Sequence, residues 1–348
     1  MECLCIFPMK SLTTLLALIA VVTTLQAAEP KKVVVCTITY GYRHDSIPFA
    51  EQTLQKLADQ SQAFKIVEML QQSTLPRIRK PSPPKKPDEL KPDADEKAEE
   101  NHQGELKKFA EEQRIYEEAI AKWPADGDRK MIDAEAAWNA AQKVTMAKLS
   151  PENLKAQGID GVIFANTTGD LPLPDREGFI KWIEEGRSFM AIHSASDTFH
   201  GFPGYLDMLQ GEFDGHDYQV PADLIAGDVA HPANGGIGAT WNLTQEEMYR
   251  IKHHDRSKVR SLWFLRHDPT FANKPGYSPI SWCRKAGEGR VFYTALGHRE
   301  DLWSDDPALK DRKNSVEISK QYQAHLLGGI KWALGLAEGS VEPNPEVK

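Results

Sequence analysis

Gly186-Arg-Ser-Phe-Met-Ala-Ile-His193-Ser-Ala-Ser-Asp197-Thr198 is the stretch whose reading decides the fold. Gly186 stops a helix, Phe189 to Ile192 is an apolar run of strand length, and Ser194 to Thr198 is a polar turn toward the next helix. A strand that turns so sharply pushes one side chain into the cleft at the carboxyl edge of a parallel sheet, where α/β proteins bind ligands. That side chain is His193. An imidazole at such an elbow can ligate a metal or move a proton, but it replaces a thiolate poorly in acyl transfer.

Upstream, Lys31 to Ile38 is a continuous β-branched run, the pattern of a strand buried on both faces. It opens into Thr39-Tyr-Gly-Tyr42-Arg-His44-Asp-Ser46, after which Ala50, Leu54 and Leu57 recur at helical spacing. Ser150-Pro151 is a cap with proline at the first helical position, Gly158 to Ala165 reads as a strand, and Asn166-Thr-Thr-Gly-Asp170 is the loop at its end. Three successive β-loop-α units place three polar loops on one edge of one sheet. Downstream, Gln219 to Ala226, Met248 to His253, Val259 to Arg266, Ile280 to Cys283 and Gly289 to Leu296 are β-like with partial alternation. The last helix carries Tyr322, Leu326, Ile330 and Ala333 on one face, and a Pro/Glu tail, 339–348, is expected to fray.

Residues 75–149 differ in character, with a Pro/Lys run and then a charged stretch poor in branched apolar residues. Leu106, Phe109, Tyr116, Ile120 and Trp123 form a narrow seam, and a turn at Pro124 to Gly127 leads to a second helix around Trp138. This predicts a helical hairpin inserted in one α/β domain, 31–338. The 348 residues, 41% of them hydrophobic, suffice for such a core, and a net charge of −8 argues against nucleic acid or an anionic membrane as main partner. A small neutral substrate is expected, with an oligomer left open.

Residues 1–28 carry Lys10, an apolar run and small residues at Ala27-Ala28, the pattern of a signal peptide, so export to the periplasm or the medium is expected. Met9 is an alternative start, and a retained anchor would fall short of the ~20 apolar residues of a span. Cleavage removes Cys3 and Cys5 and leaves Cys36 and Cys283 inside strands, so no disulfide framework is expected.

Eleven histidines are present, and His44, His193, His200, His216, His231 and His298 fall in polar loops. A lone buried histidine is usually a satisfied core residue, but His44, His193 and His298 each follow a strand of the same sheet. His253, His254, His267 and His325 read as structural, His231-Pro232 as a loop fixture, and His102 belongs to the insertion.

Tyr-Arg-His-Asp-Ser-Ile, Asn-Thr-Thr-Gly-Asp-Leu, Ala-Ile-His-Ser-Ala-Ser-Asp-Thr, Gly-Glu-Phe-Asp-Gly-His, His231-Pro-Ala, Glu246-Glu-Met-Tyr249 and Gly-Arg-Val-Phe-Tyr-Thr-Ala-Leu-Gly-His occur in this order. Together they resemble the ThuA-like (trehalose utilisation) family over residues 31–75 and 150–338. The resemblance implies a flavodoxin-like parallel sheet flanked by helices, related to class I glutamine amidotransferases, and a link to the breakdown of disaccharides and keto-sugars. His193 stands where those amidotransferases carry their cysteine, and Gly-His298-Arg-Glu300 resembles their His-Pro-Glu. Glutamine hydrolysis is therefore not expected.

Two chemistries suit the pocket. In one, His44 and His193, with His216 or His298, bind a divalent metal such as zinc, and Asp197 or Glu247 is the base. In the other, without metal, histidine and carboxylate (His193, Asp197, Glu247, His298, Glu300) abstract a proton beside a sugar carbonyl. Either would isomerise, eliminate or hydrolyse its substrate. Tyr42, Asn166, Thr167, Thr168, Asp170 and Tyr249 are candidate sugar contacts, although Asn-Thr-Thr-Gly-Asp is also an ordinary turn sequence, and Trp241, Tyr249 and Trp303 can equally fill the core. The alternative from another class is a non-catalytic carbohydrate-binding protein.

Overall fold

Alternating strands and helices frame the chain in a computed structural model that describes residues 29–90, 95–267, 269 and 274–347. The expected signal peptide lies outside the described residues. The first units are β1 (Lys31–Cys36), α1 (Ile47–Ser61) and β2 (Phe64–Leu70), followed by the inserted α2 (Glu96–Ala121) and α3 (Gly127–Met146). Next come α4 (Pro151–Ala156), β3 (Gly161–Ala165), α5 (Arg176–Glu184), β4 (Ser188–Ile192) and α6 (Pro203–Leu209). The β-rich part comprises β5 (Glu212–Gly215), β6 (Gln219–Ala226), β7 (Thr240–Glu247), β8 (Arg250–Lys252), β9 (Arg260–His267), β10 (Pro275–Ala286) and β11 (Gly289–Thr294), before α7 (Glu300–Trp303) and α8 (Val316–Ala333). No described helix is long and apolar enough to cross a membrane.

Nine strands form one sheet in the order β2-β1-β3-β4-β11-β10-β9-β6-β7. From β2 to β11 every pair is parallel, the strand order of flavodoxin-like sheets. Every residue of β3 and β4 is buried, which requires helices on both faces. Two packed helix groups supply that cover: α1, α7 and α8 touch one another, and α5 touches both α4 and α6. Past β11 the pairs turn antiparallel, and β5 with β8 makes a separate two-stranded ribbon. The segment Met248 to His253, expected as one strand, is strand only at β8, because Met248 and Tyr249 form the link from the end of β7, where the Tyr249 hydroxyl turns to His193.

The two inserted helices behave differently. Along α3, Trp138 and Met146 are buried: Trp138 packs on Tyr40 (ring centroids 5.0 Å apart), Arg77 lies over its ring, and Gln142 accepts the Ser73 amide. By contrast α2 buries no residue. The tail does not fray at 339–347: Asn344 is buried, accepting the Ser261 amide and donating to the carbonyls of Gly227 and Ser261, while Arg260 donates to the Glu342 carbonyl.

Three histidines outside the polar edge are neutral braces. Burial pushes His231, His254 and His325 down to about 4. The unfolded chain titrates the same rings near 6.5, so their share of stability is complete above that value and drains as the pH falls from about 6.5 to 4. For the fully buried His325, which donates to the Ala233 carbonyl, the loss is at most on the order of 3 kcal/mol. His325→Gln keeps a donor but does not titrate. Urea denaturation at pH 7 and pH 4.5 should show the variant losing less stability over this interval than the parent; equal losses would remove His325 from the account.

Candidate functional site

Four loops meet at the carboxyl edge of the parallel strands, and each delivers one piece of the site. His44 follows β1, Asn166 follows β3, His193 follows β4 and His298 follows β11. The elbow expected at His193 is present: its backbone is left-handed at φ 53, and residues 193–197 form a turn of 3-10 helix. A non-glycine residue held there stores strain of order 1–3 kcal/mol, which a packed surrounding must sustain. Asn166 turns in the same hand at φ 55.

The rings converge. The Nε2 atoms of His193 and His44 lie 3.2 Å apart, and one donor atom from each of His44, His193, Glu247 and His298 falls within 4.8 Å of all the others. His193 Nδ1 is 2.7 Å from the Ala295 carbonyl, which can only accept, so the proton sits on Nδ1 and the Nε2 lone pair faces inward. His44 Nδ1 lies 3.4 Å from the Ser194 hydroxyl. Tyr249 stacks on His193 with centroids 4.5 Å apart, and its hydroxyl donates to Nε2 at 2.8 Å. Glu247 Oε2 is 3.0 Å from His298 Nδ1, yet off the hydrogen-bond axis, so that buried nitrogen has no aligned partner.

Charge is set by these contacts. Burial, then the neighbouring His298, pushes His44 down to about 4, and burial with repulsion from His44 and His298 holds His193 well below its ordinary value. Burial also lowers His298, but Glu247, Glu246 and Glu300 outweigh it and leave that ring above the usual histidine value. Burial keeps the Tyr249 hydroxyl protonated far beyond neutral pH.

A tetrahedral ion with Zn–N bonds of about 2.0–2.1 Å separates two nitrogen ligands by about 3.3 Å. The His44–His193 spacing of 3.2 Å, two neutral rings and an orphaned His298 nitrogen therefore fit a divalent metal. Three histidines with one carboxylate are a donor set suited to zinc.

Glu247 owes its place to a bulge. Leu243 pairs with Ala222 and Glu246 with Val220, so β7 spends three steps where β6 spends two. Such an insertion re-aims the side chains beyond it. The displaced amides of Thr244 and Gln245 donate to Asn314 Oδ1, and Asn314 Nδ2 returns a bond to the Gln245 carbonyl.

The other sequence candidates separate from the cluster. Of the two rings expected as a third metal ligand, His216 stands at the rim with Nε2 3.5 Å from Glu247 Oε1, outside the four-donor group, and His298 lies within that group. Asp197 is not free to act as base, because His200 bridges it to Glu212. Glu300 opens α7 and reaches the site only through its field on His298. Asn166, Thr167 and Thr168, candidate sugar contacts in the sequence, are buried and brace the loops. Asn166 Nδ2 donates to Ser46 and to the Gly297 carbonyl, Thr167 bonds Thr198, and Thr168 donates to the Tyr42 carbonyl. Asp170 is exposed and paired with Arg176 at 2.6 Å. Tyr42 is 64% exposed and lies edge-on to His44, with centroids 4.8 Å apart. Trp241 and Trp303 are core residues, and Trp303 donates to the Gly297 carbonyl. Glu246, quoted above only as part of a motif, and Asn314 receive no role in a reading of the sequence. The doubled acid of Glu246-Glu247 is the available signal for the first; nothing in the sequence marks the second.

Residues 116–333, more than half of the chain, match the ThuA family, described as trehalose utilisation. A ThuA-like protein from Parabacteroides merdae is similar in structure at 16% identity and a TM-score of 0.52, over 90% of this chain and 93% of that one. A ThuA-like protein from Bacteroides uniformis aligns over 88% of this chain and 93% of that one at 14% identity and a TM-score of 0.49. No curated protein sequence matches. The family match runs from within α2 to the end of α8 and so includes His193, Glu247 and His298, while the fold is shared beyond it. The chain belongs to the ThuA trehalose-utilisation family, and with that family comes a carbohydrate-related role.

Proposed function

We propose that this protein processes a disaccharide or keto-sugar derivative at a divalent-metal site, moving a proton at a carbon beside a carbonyl so that the sugar isomerises or eliminates. The observation that carries this reading is the meeting of His44, His193, Glu247 and His298 around two facing Nε2 atoms. A cation held there would act as a Lewis acid on a sugar carbonyl or hydroxyl oxygen. In this reading His44, His193 and His298 are the ligands, a three-histidine set that leaves a position for substrate.

Glu247 is then the carboxylate that takes the proton. One of its oxygens faces His298 and the other faces His216 at the rim, so it stands between the buried rings and the exposed side. The Tyr249 hydroxyl, kept protonated by burial, can donate to an oxygen that gains negative charge. Tyr42 offers an exposed ring face beside His44 on which a sugar can stack. Two-carboxylate glycoside hydrolysis has less support, because Asp197 is tied to His200. Acyl transfer through a thiol has none among the described residues: burial pushes the Cys36 thiol up to about 12 and raises Cys283 as well.

Purified protein should carry one zinc-like ion per chain, and a chelator should abolish conversion of 3-keto disaccharides followed by product analysis. His193→Ala should lose the metal and lower kcat/KM by about 10³-fold or more. Equal turnover with and without metal would end the metal reading. Sugar binding without turnover of any disaccharide or keto derivative, unchanged in His193→Ala, would make this a carbohydrate-binding protein. Tyr42→Ala should raise KM about fivefold at constant kcat, the loss of one stacking contact of about 1 kcal/mol; a fall in kcat instead would assign Tyr42 to the chemistry.

A further inference from the structure

We infer that Glu246 is the positioning residue that fixes His298 as a ligand, an inference that rests on the metal reading of this site. The Glu246 side chain is fully buried at the end of β7, beside the bulge that also delivers Glu247. Its Oε1 accepts the amides of Gly297 (3.2 Å) and His298 (2.7 Å), and its Oε2 accepts the amide of Arg299 (3.2 Å). Three consecutive N–H groups thus close on one carboxyl group, a backbone nest filled by a side chain of the protein itself.

The loop has no regular partner of its own. Gly297 bends it at φ +135, and a Cβ there would meet the Tyr322 hydroxyl at 2.8 Å and His193 Cβ at 3.2 Å. Its carbonyl is gripped by Ser46, Asn166 and Trp303, so only the amide side is left to decide how the His298 backbone is turned. Glu246 decides it. The next residue, Glu247, meets the His298 ring, so one dipeptide sets both backbone and side chain of this ligand. Supporting groups of this kind typically change metal affinity about 10–100-fold when removed.

The test uses the full chain stripped of metal and titrated with Co(II), whose visible absorption reports ligand number. Parent protein should bind one Co(II) with intense four-coordinate bands. Glu246→Ala should bind about 10–100-fold more weakly, with the spectrum of His298→Ala, and Glu246→Gln should fall between. Parent-like affinity and spectrum in a folded Glu246→Ala would overturn the inference. If the alanine variant does not fold, Glu246→Gln decides by the same criterion. If the parent itself binds no Co(II), the metal reading fails, and positioning is read from the His298 ring resonances in the NMR spectrum of metal-free protein. A shift in Glu246→Gln upholds positioning, and an unchanged ring overturns it.

Discussion

Two imidazole nitrogens facing each other 3.2 Å apart in a buried site are the constraint on which the rest of this structure depends. Burial and repulsion from neighbouring rings, His298 on both and His44 on His193, keep both rings neutral, and one of them, His193, has its proton committed to the Ala295 carbonyl. One lone pair therefore points at a space that only a proton donor or a cation can share. Holding that arrangement requires a left-handed elbow at His193 and a loop after β1 that brings His44 to it from the far side of β3. Both demands are met at the carboxyl edge of a parallel sheet, where strand ends stand side by side and the strand order reverses between β1 and β3.

The two halves of the sheet divide the work. Parallel strands β1, β4 and β11 each release a histidine, because a buried strand can change its exposure only at its end. The antiparallel half supplies what the rings lack. Glu246 and Glu247 come from the bulged end of β7, and Tyr249 from the short link into β8, whose ribbon with β5 also carries Glu212 against His200. Without this extension the histidines would open onto solvent with no carboxylate among them.

Sequence makes the parallel half legible for a physical reason: strands buried on both faces are continuous apolar runs, and the polar residues after each run must lie on the ligand edge. His44, His193 and His298 are all legible in that way. The acids are harder. Asp197, Asp170 and Glu300 sit in stretches as polar as that around Glu247, but Asp197 is bridged by His200, Asp170 is paired with Arg176 at the surface, and Glu300 opens a helix. Which acid stays uncommitted depends on partners 3 to 15 residues away or more, and no spacing rule encodes them. Likewise Thr167 and Thr168 look like sugar contacts in the sequence, which does not reveal that their hydroxyls close the loops on Thr198 and Tyr42. The bulge in β7 breaks the alternation of period two, so the strand that matters most to the acids is the one whose pattern is least regular.

That irregular strand end is held by a closed circuit. Glu246 binds the backbone of residues 297–299, the Arg299 side chain binds Asp301, Asp301 accepts from Asn314 through both amide and side chain, and Asn314 returns to the bulge amides of Thr244 and Gln245. Each member is buried or nearly so, and each bond satisfies a group that would otherwise be stranded away from water at about 1–3 kcal/mol. Loss of one bond strands the next, so the circuit opens as a unit rather than loosening gradually. A ligand set assembled from distant stretches of chain needs that property, since donors displaced by an ångström no longer share a cation. The bulge, an irregularity when read strand by strand, is in this light what couples the acid-bearing half of the sheet to the histidine-bearing half.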